Sequence, residues 1–379
     1  MYIYIFIYLL LLLTVILERN KFNSLNYFVY YFILPTFICF GYMTGSDWRN
    51  YELAYDDIQN FIAGTQKEKG YYYLGQIFKC IGFSFWEFVI LLKLIGYYIV
   101  LYNYQKYTNK TFESIIILFV FFMLYLWIDH PARNFCSCII YITGVKYIYD
   151  RKMIPYVLTC FIASLFHMTA IFLIPIYFLY RFYSTKILFV LTVAASTFVI
   201  IQSISGSLIA KFLEINDYLA LRMSSYMGTE YMERVSLSTS LSTMFHGIIV
   251  IFMLSNRKII ESRYSYGYFV LLLSIIFFIT SVVGISFGIL FRFKYYFILF
   301  YCIAISYLYE ATYNSIKRFI INILILIVPM GAMIMQITKT SKYIPYSNYL
   351  EYSFREKPSY LYRSNYNMVN SPYKTKDKK

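Results

Sequence analysis

The chain has 379 residues, of which 60% are hydrophobic and only 14% charged, with a formal net charge of +15. A soluble domain carries about a quarter charged residues, so too little polar surface exists here to face water on all sides. The positive charge does not point to nucleic acid, because the lysines and arginines fall in short loops between apolar runs and form no contiguous basic face outside the C-terminal tail.

The first segment, Met1 to Leu17, has no basic leader and no small-residue cleavage site, and is read as a retained helix. Further apolar runs follow near 25–43, 86–104, 114–128, 135–149, 154–180, 187–205, 241–255, 266–289, 295–309 and 319–337. Lipid cannot satisfy free backbone amides, and no strand alternation is visible, so these runs predict helices. The expected fold is all-α: a polytopic transmembrane helix bundle of about 11–12 spans. Residues 1–340 are expected to form one membrane domain, followed by a polar, basic tail, 341–379, that is partly disordered after Tyr349.

The run 154–180 is too long for one ordinary span, and is either a single tilted helix or two short helices turning near Phe166-His167-Met168. Loop charge favours the hairpin. With the N-terminus outside and a hairpin at this run, every short cytoplasmic loop is basic: Arg19 and Lys21, Lys106 and Lys110, Arg151 and Lys152, Arg181 and Lys186, Arg257 and Lys258, Lys317 and Arg318. The two long loops, 44–85 and 206–240, then lie outside. So does the tail, against its own positive charge.

Ionisable groups at the ends of spans are the informative ones, because burying them is costly unless a partner or ligand offsets it. Several converge on the outer face: Asp47 and Arg49 after the second run, Glu68 and Tyr71 later in the same loop, Arg133 and Asn134 opening the fifth, His167 at the hairpin tip, and Arg292, Lys294 and Tyr295 opening a late span. An arginine at such a place offers a charged fork suited to phosphate or pyrophosphate; the competing explanation is snorkelling to the interface. His167 can accept a proton at neutral pH, although a lone histidine among apolar neighbours is more often a packing residue. His246 reads as packing, and His130 is open between the two. Nucleotide-binding and metalloprotease motifs are absent, as is an Asp-x-Asp pair, so neither a metal nor an organic cofactor is expected.

Four elements occur in order: Gly45-Ser46-Asp47-Trp48-Arg49-Asn50-Tyr51, Glu68-Lys69-Gly70-Tyr71, Arg133-Asn134-Phe135, and Ala163-Ser164-Leu165-Phe166-His167-Met168-Thr169-Ala170, followed by Arg292-Phe293-Lys294-Tyr295-Tyr296 and Pro345-Tyr346. This order resembles the EpsG-type family, which stands with the Wzy-like O-antigen and capsule repeat-unit polymerases. The resemblance implies a metal-independent glycosyltransferase of the bacterial cytoplasmic membrane, with its site on the outer face. Donor and acceptor would be oligosaccharides on undecaprenyl pyrophosphate, within membrane lipid, with a chain-length regulator protein as a further partner. It would place His167 and Asp47 in catalysis, and Arg133, Arg292, Arg49, Glu68, Tyr71, Asn134, Lys294 and Tyr295 in substrate binding. An O-antigen ligase, a membrane acyltransferase and a non-enzymatic flippase are the alternatives of similar layout.

Overall fold

In the computed structural model, residues 1–18, 23–59, 62, 68–181, 192, 194, 197, 237–286, 288–311 and 326–372 are described. The expected span 187–205 lies almost wholly, and the loop 206–240 mostly, outside them, as does the first part of 319–337. In chain order the helices are α1 (Tyr2–Glu18), then α2, which runs from Asn23–Phe28 through a π-helical stretch Val29–Ile33 into Leu34–Cys39. Next come α3 (Trp48–Asp56), α4 (Gly70–Cys80), α5 (Phe85–Tyr107) and α6, Thr111–Leu118 continuing as a π-helix over Phe119–Asp129. α7 (Ala132–Gly144) and α8 (Met153–Phe166) lead to a 3-10 turn at Met168–Leu173 and to α9 (Ile176–Arg181). α10 (Leu237–Ser255), α11 (Arg257–Arg263), α12 (Gly267–Ser286) and α13 (Ile298–Ala311) follow, then α14 (Val328–Lys339) and α15 (Tyr360–Asn370). Among the described residues the only strands are β1 (Gly41–Tyr42) and β2 (Ser347–Asn348), which pair antiparallel with Gly41 opposite Asn348.

The chain forms two compact units: Met1–Ile174 with Tyr313–Lys379, and Pro175–Thr312. Among the described residues three helical segments are long and apolar enough to cross a membrane: Phe85–Tyr107, Thr111–Asp129 and Gly267–Gly284. A fourth is obtained if α10 and α11, bent by 66°, are one span, and six shorter apolar helices accompany them. The helical membrane architecture is therefore present, and the described residues hold three or four of the 11–12 spans expected of the whole chain at full length. At 1.5 Å per residue, a helix of about 20 residues matches the roughly 30 Å hydrocarbon core.

Pro35 shows how the aromatic composition serves backbone chemistry. Lacking an N–H, it cannot bond the carbonyls one turn before it, which in lipid would be left unpaired. Those carbonyls, of Tyr30 and Tyr31, accept from the hydroxyls of Tyr97 (2.6 Å) and Tyr98 (2.8 Å) on α5. The π-helical stretch of α2 is thus stitched to its neighbour by tyrosine rather than by its own ladder.

The end of α2 is closed in a similar way. A helix C-terminus leaves carbonyls without an intrahelical donor. Here Asn348 Nδ2 donates to Thr36 O (3.1 Å), Tyr346 Oη to Phe37 O (2.6 Å) and Tyr349 N to Phe40 O (2.8 Å). After Tyr349 the described part of the tail continues through a short 3-10 turn into α15, where Arg363 pairs with Glu52 and Ser364 O accepts from Arg49; residues 373–379 lie outside the described residues. The tail and the loop 41–56 consequently lie at the same end of this unit.

The run 154–180 breaks at His167, whose backbone is extended (φ −149°, ψ 116°). Tyr156 Oη donates to Leu173 O at 2.6 Å, although the two residues are 17 apart in sequence. In one straight helix they would be about 25 Å apart, so the chain doubles back here. Single cysteines introduced at Asp57 and Glu356, both exposed, should label with an impermeant maleimide from the same side of intact membranes. Labelling from opposite sides would contradict this topology.

Candidate functional site

Glu68 is the point at which three chain segments meet. It sits just before α4 with a left-handed backbone (φ 60°) and a side chain only 14% exposed. Its Oε2 lies 2.7 Å from Arg133 Nη1 on the first turn of α7, and its Oε1 lies 2.9 Å from His167 Nδ1 at the hairpin tip. The His167 contact is an ion-pair distance whose angle falls short of a linear hydrogen bond. Oε1 also accepts from Met168 N at 2.9 Å. Gly70 makes the meeting possible: a Cβ there would come within 2.9 Å of Leu165 O, so the loop approaches the hairpin backbone to backbone. The Glu-x-Gly and Phe-His elements, about 100 residues apart, are two halves of one contact.

Arg133 is held from a second side. Its Nε donates to Tyr51 Oη (3.2 Å) on α3, and Nη2 makes no bond among the described residues. Tyr51 also packs edge-on against Tyr71 (5.2 Å). His167 is buried, and its Nε2 has no hydrogen-bond partner among the described residues.

Burial works against ionisation of Glu68. The His167 and Met168 contacts and the Arg133 charge outweigh it, and bring the carboxyl down from 4.5 to about 2. Glu52 behaves oppositely. Burial raises its carboxyl despite two contacts from Arg363 Nη1 (2.6 and 2.7 Å) and one from Trp86 Nε1 (3.1 Å). One carboxylate is thus committed to its charge, while the other is reluctant to carry it.

A second cluster orders the Gly45-Ser46-Asp47 turn. Asp129 Oδ1 accepts from Ser46 N (2.7 Å) and Ser46 Oγ (2.8 Å), and Asp129 Oδ2 pairs with Lys342 Nζ. Gly45 has φ +88° and lies so close to the 128–129 backbone that a Cβ would meet Ile128 O at 2.6 Å. Below this turn a cavity with room for about one water (≈10 Å³) is lined by Thr44, Trp48, Tyr71, Lys93, Asp129 and His130, among others. Lys93, the one charged residue between 88 and 105, is buried.

The predicted residues therefore separate. Glu68, Arg133 and His167 come together. Asp47 stands at the start of α3, where Ser46 Oγ donates to it at 3.3 Å. Arg49 is engaged by backbone, with Nη1 on Gly45 O (3.0 Å) and Nη2 on Ser364 O (2.8 Å), which suits a fastening of the tail. Tyr71 is 3% exposed and so lies in the core rather than on a surface where sugars could stack. Asn134 is buried and turned toward Cys138, whose Sγ donates to Asn134 Oδ1 (3.1 Å). Arg292, Lys294 and Tyr295 belong to the other unit; there Arg292 is half-buried and Lys294 Nζ stands 5.4 Å from the Tyr295 ring centre. Lys342 and Lys93 are site neighbours that sequence reasoning missed, while Tyr51 and Asp129 lay in segments it singled out without giving them a role. Tyr51 closes the Gly45…Tyr51 element, and Lys93 is a lone charge in an apolar run, so both carried a signal.

The structure is that of a helical membrane protein with a part-buried carboxylate–arginine–histidine cluster in one unit. The model of the EpsG family matches residues 24–354, and the chain belongs to that family, whose members are membrane proteins of polysaccharide biosynthesis. Comparison with curated proteins and with solved structures gives no match.

A depressed carboxyl contributes stability in full above its ordinary range, and that contribution is lost as pH falls toward the folded value. Glu68→Gln should lower stability in detergent at pH 7 by about 2–3 kcal/mol. It should also flatten the loss of melting temperature that the parent shows between pH 4.5 and about 2. A parent-like melting curve from the variant at both ends would contradict the placement of Glu68.

Proposed function

We propose that the protein polymerises oligosaccharide repeat units carried on undecaprenyl pyrophosphate, at the outer face of the bacterial cytoplasmic membrane. The donor glycan is transferred as a block to a sugar hydroxyl of the next lipid-linked unit, with the lipid pyrophosphate as leaving group. The observation that carries this reading is the family membership, together with the meeting of the family-like elements at Glu68, Arg133 and His167.

The cluster supplies the functions such a transfer needs. Glu68 Oε1 lies against His167 Nδ1, so the ring nitrogen turned away from it, Nε2, is the one offered to a proton of an attacking hydroxyl. Arg133 is braced by Glu68 and Tyr51, and its Nη2 has no partner among the described residues, so its fork suits charge developing on a phosphate oxygen. Glu68 is then a positioning residue for both.

Deleting the gene should leave the surface glycan as a single repeat unit on its acceptor, seen as loss of the ladder on a gel. Complete loss of glycan, or an unchanged ladder, would overturn the polymerase reading. Arg133→Lys should keep the protein in the membrane yet reduce polymer roughly a hundredfold or more, because a lysine cannot reach Glu68, Tyr51 and an anion together. His167→Gln should act similarly. Parent-length ladders from both variants at matched abundance would remove these residues from the reaction.

A further inference from the structure

The C-terminal helix α15 is amphipathic, and it is mounted with its polar side toward the protein. Pro358 and Ser359 start it, with Ser359 Oγ capping Tyr362 N at 3.4 Å. One face fastens it: Arg363 to Glu52, Ser364 O to Arg49, Tyr360 Oη to Arg49 O at 3.3 Å, and Asn367 Nδ2 to Pro345 O at 2.9 Å. At 100° per residue the opposite face carries Leu361, Tyr362, Met368 and Val369, with the half-buried Asn365 as its one amide. The four apolar side chains are 71%, 51%, 63% and 70% exposed, respectively.

In a water-soluble protein such a helix would turn its apolar stripe inward. An inverted one marks a face covered by something apolar. The level of α15 along the unit identifies what covers it. Asn367 is tied to Pro345, two residues before β2, and β2 pairs with β1, which begins two residues after the apolar helix α2 ends. The helix thus lies where a membrane helix emerges into the headgroup region. Exposed apolar side chains on α2 and α5, such as Phe28, Phe32 and Tyr102, are of the same kind, facing outward from membrane helices. Four lysines and a single aspartate among the last seven residues add charge that favours anionic headgroups.

We propose that α15 is an interfacial helix, lying in the plane of the bilayer with Leu361, Tyr362, Met368 and Val369 in the upper acyl region. The tail then acts as a float: it holds the α3 segment, through Glu52 and Arg49, at a fixed depth relative to the lipid surface.

The full-length protein in proteoliposomes of phosphatidylcholine and phosphatidylglycerol tests this. Bimane is attached at Leu361→Cys, Val369→Cys or Glu356→Cys in a Cys80→Ser background, the other five native cysteines being buried. All three positions are exposed, so the substitutions spare the fold. The 361 and 369 probes should lose most of their emission to nitroxide on the lipid acyl chains and little to aqueous iodide. Quenching of these two probes by iodide as strongly as at 356 would show a water-facing helix. Protection from both quenchers would show a face covered by protein. Either result overturns the proposal.

Discussion

The contact between the Glu68 carboxylate and the Arg133, His167 and Met168 groups is what the candidate site depends on. Drawing a carboxylate and a guanidinium partly out of water, beside a buried imidazole, carries a desolvation cost. Their mutual placement must offset that cost, and it does so only when the 68–70 loop, the first turn of α7 and the hairpin tip are all in register. The low pKa of Glu68 expresses this coupling: the carboxylate is more favourable in the fold than in water despite its burial. Arg133 and His167 hold orientations that neither would keep alone in an apolar environment.

The rest of the unit supports that geometry from outside. Tyr51 braces Arg133 from α3, and α3 is in turn fastened by the tail through Glu52–Arg363 and Arg49–Ser364. The tail is itself ordered because the carbonyl end of α2 needs donors, which Tyr346, Asn348 and Tyr349 provide. A single chain of polar contacts therefore runs from the end of a membrane helix, through the C-terminal segment, to the guanidinium.

Much of this was legible in the sequence, and the reasons are physical. Apolar runs report helices because lipid allows little else, and loop charge favoured a hairpin at 154–180 that the fold-back of Tyr156 onto Leu173 now displays. Glu68, Arg133 and His167 stood out as ionisable groups beside apolar runs. Their mutual contact did not, because separations of 65 to 100 residues carry no periodic signal. Tyr71 and Asn134 looked like surface donors, yet they face inward. Position at the start of a helix says nothing about which side of that helix is buried. The tail's polar composition predicted partial disorder; its described part is fastened by a set of orphan carbonyls on α2, which composition does not record. Among the described residues several apolar runs fold as helices of 10–17 residues, shorter than the runs themselves.

The central claim is that Glu68 binds Arg133 and His167 into one energetic unit. A double-mutant cycle of Glu68→Gln with Arg133→Gln, read as thermal stability of the purified protein in detergent at pH 7, tests it most directly. The double variant should be more stable than the sum of the single losses allows, with a coupling of about 1–3 kcal/mol, since the second substitution removes a charge the first left unpaired. Additive losses within about 0.5 kcal/mol would show two residues that are near each other without depending on each other.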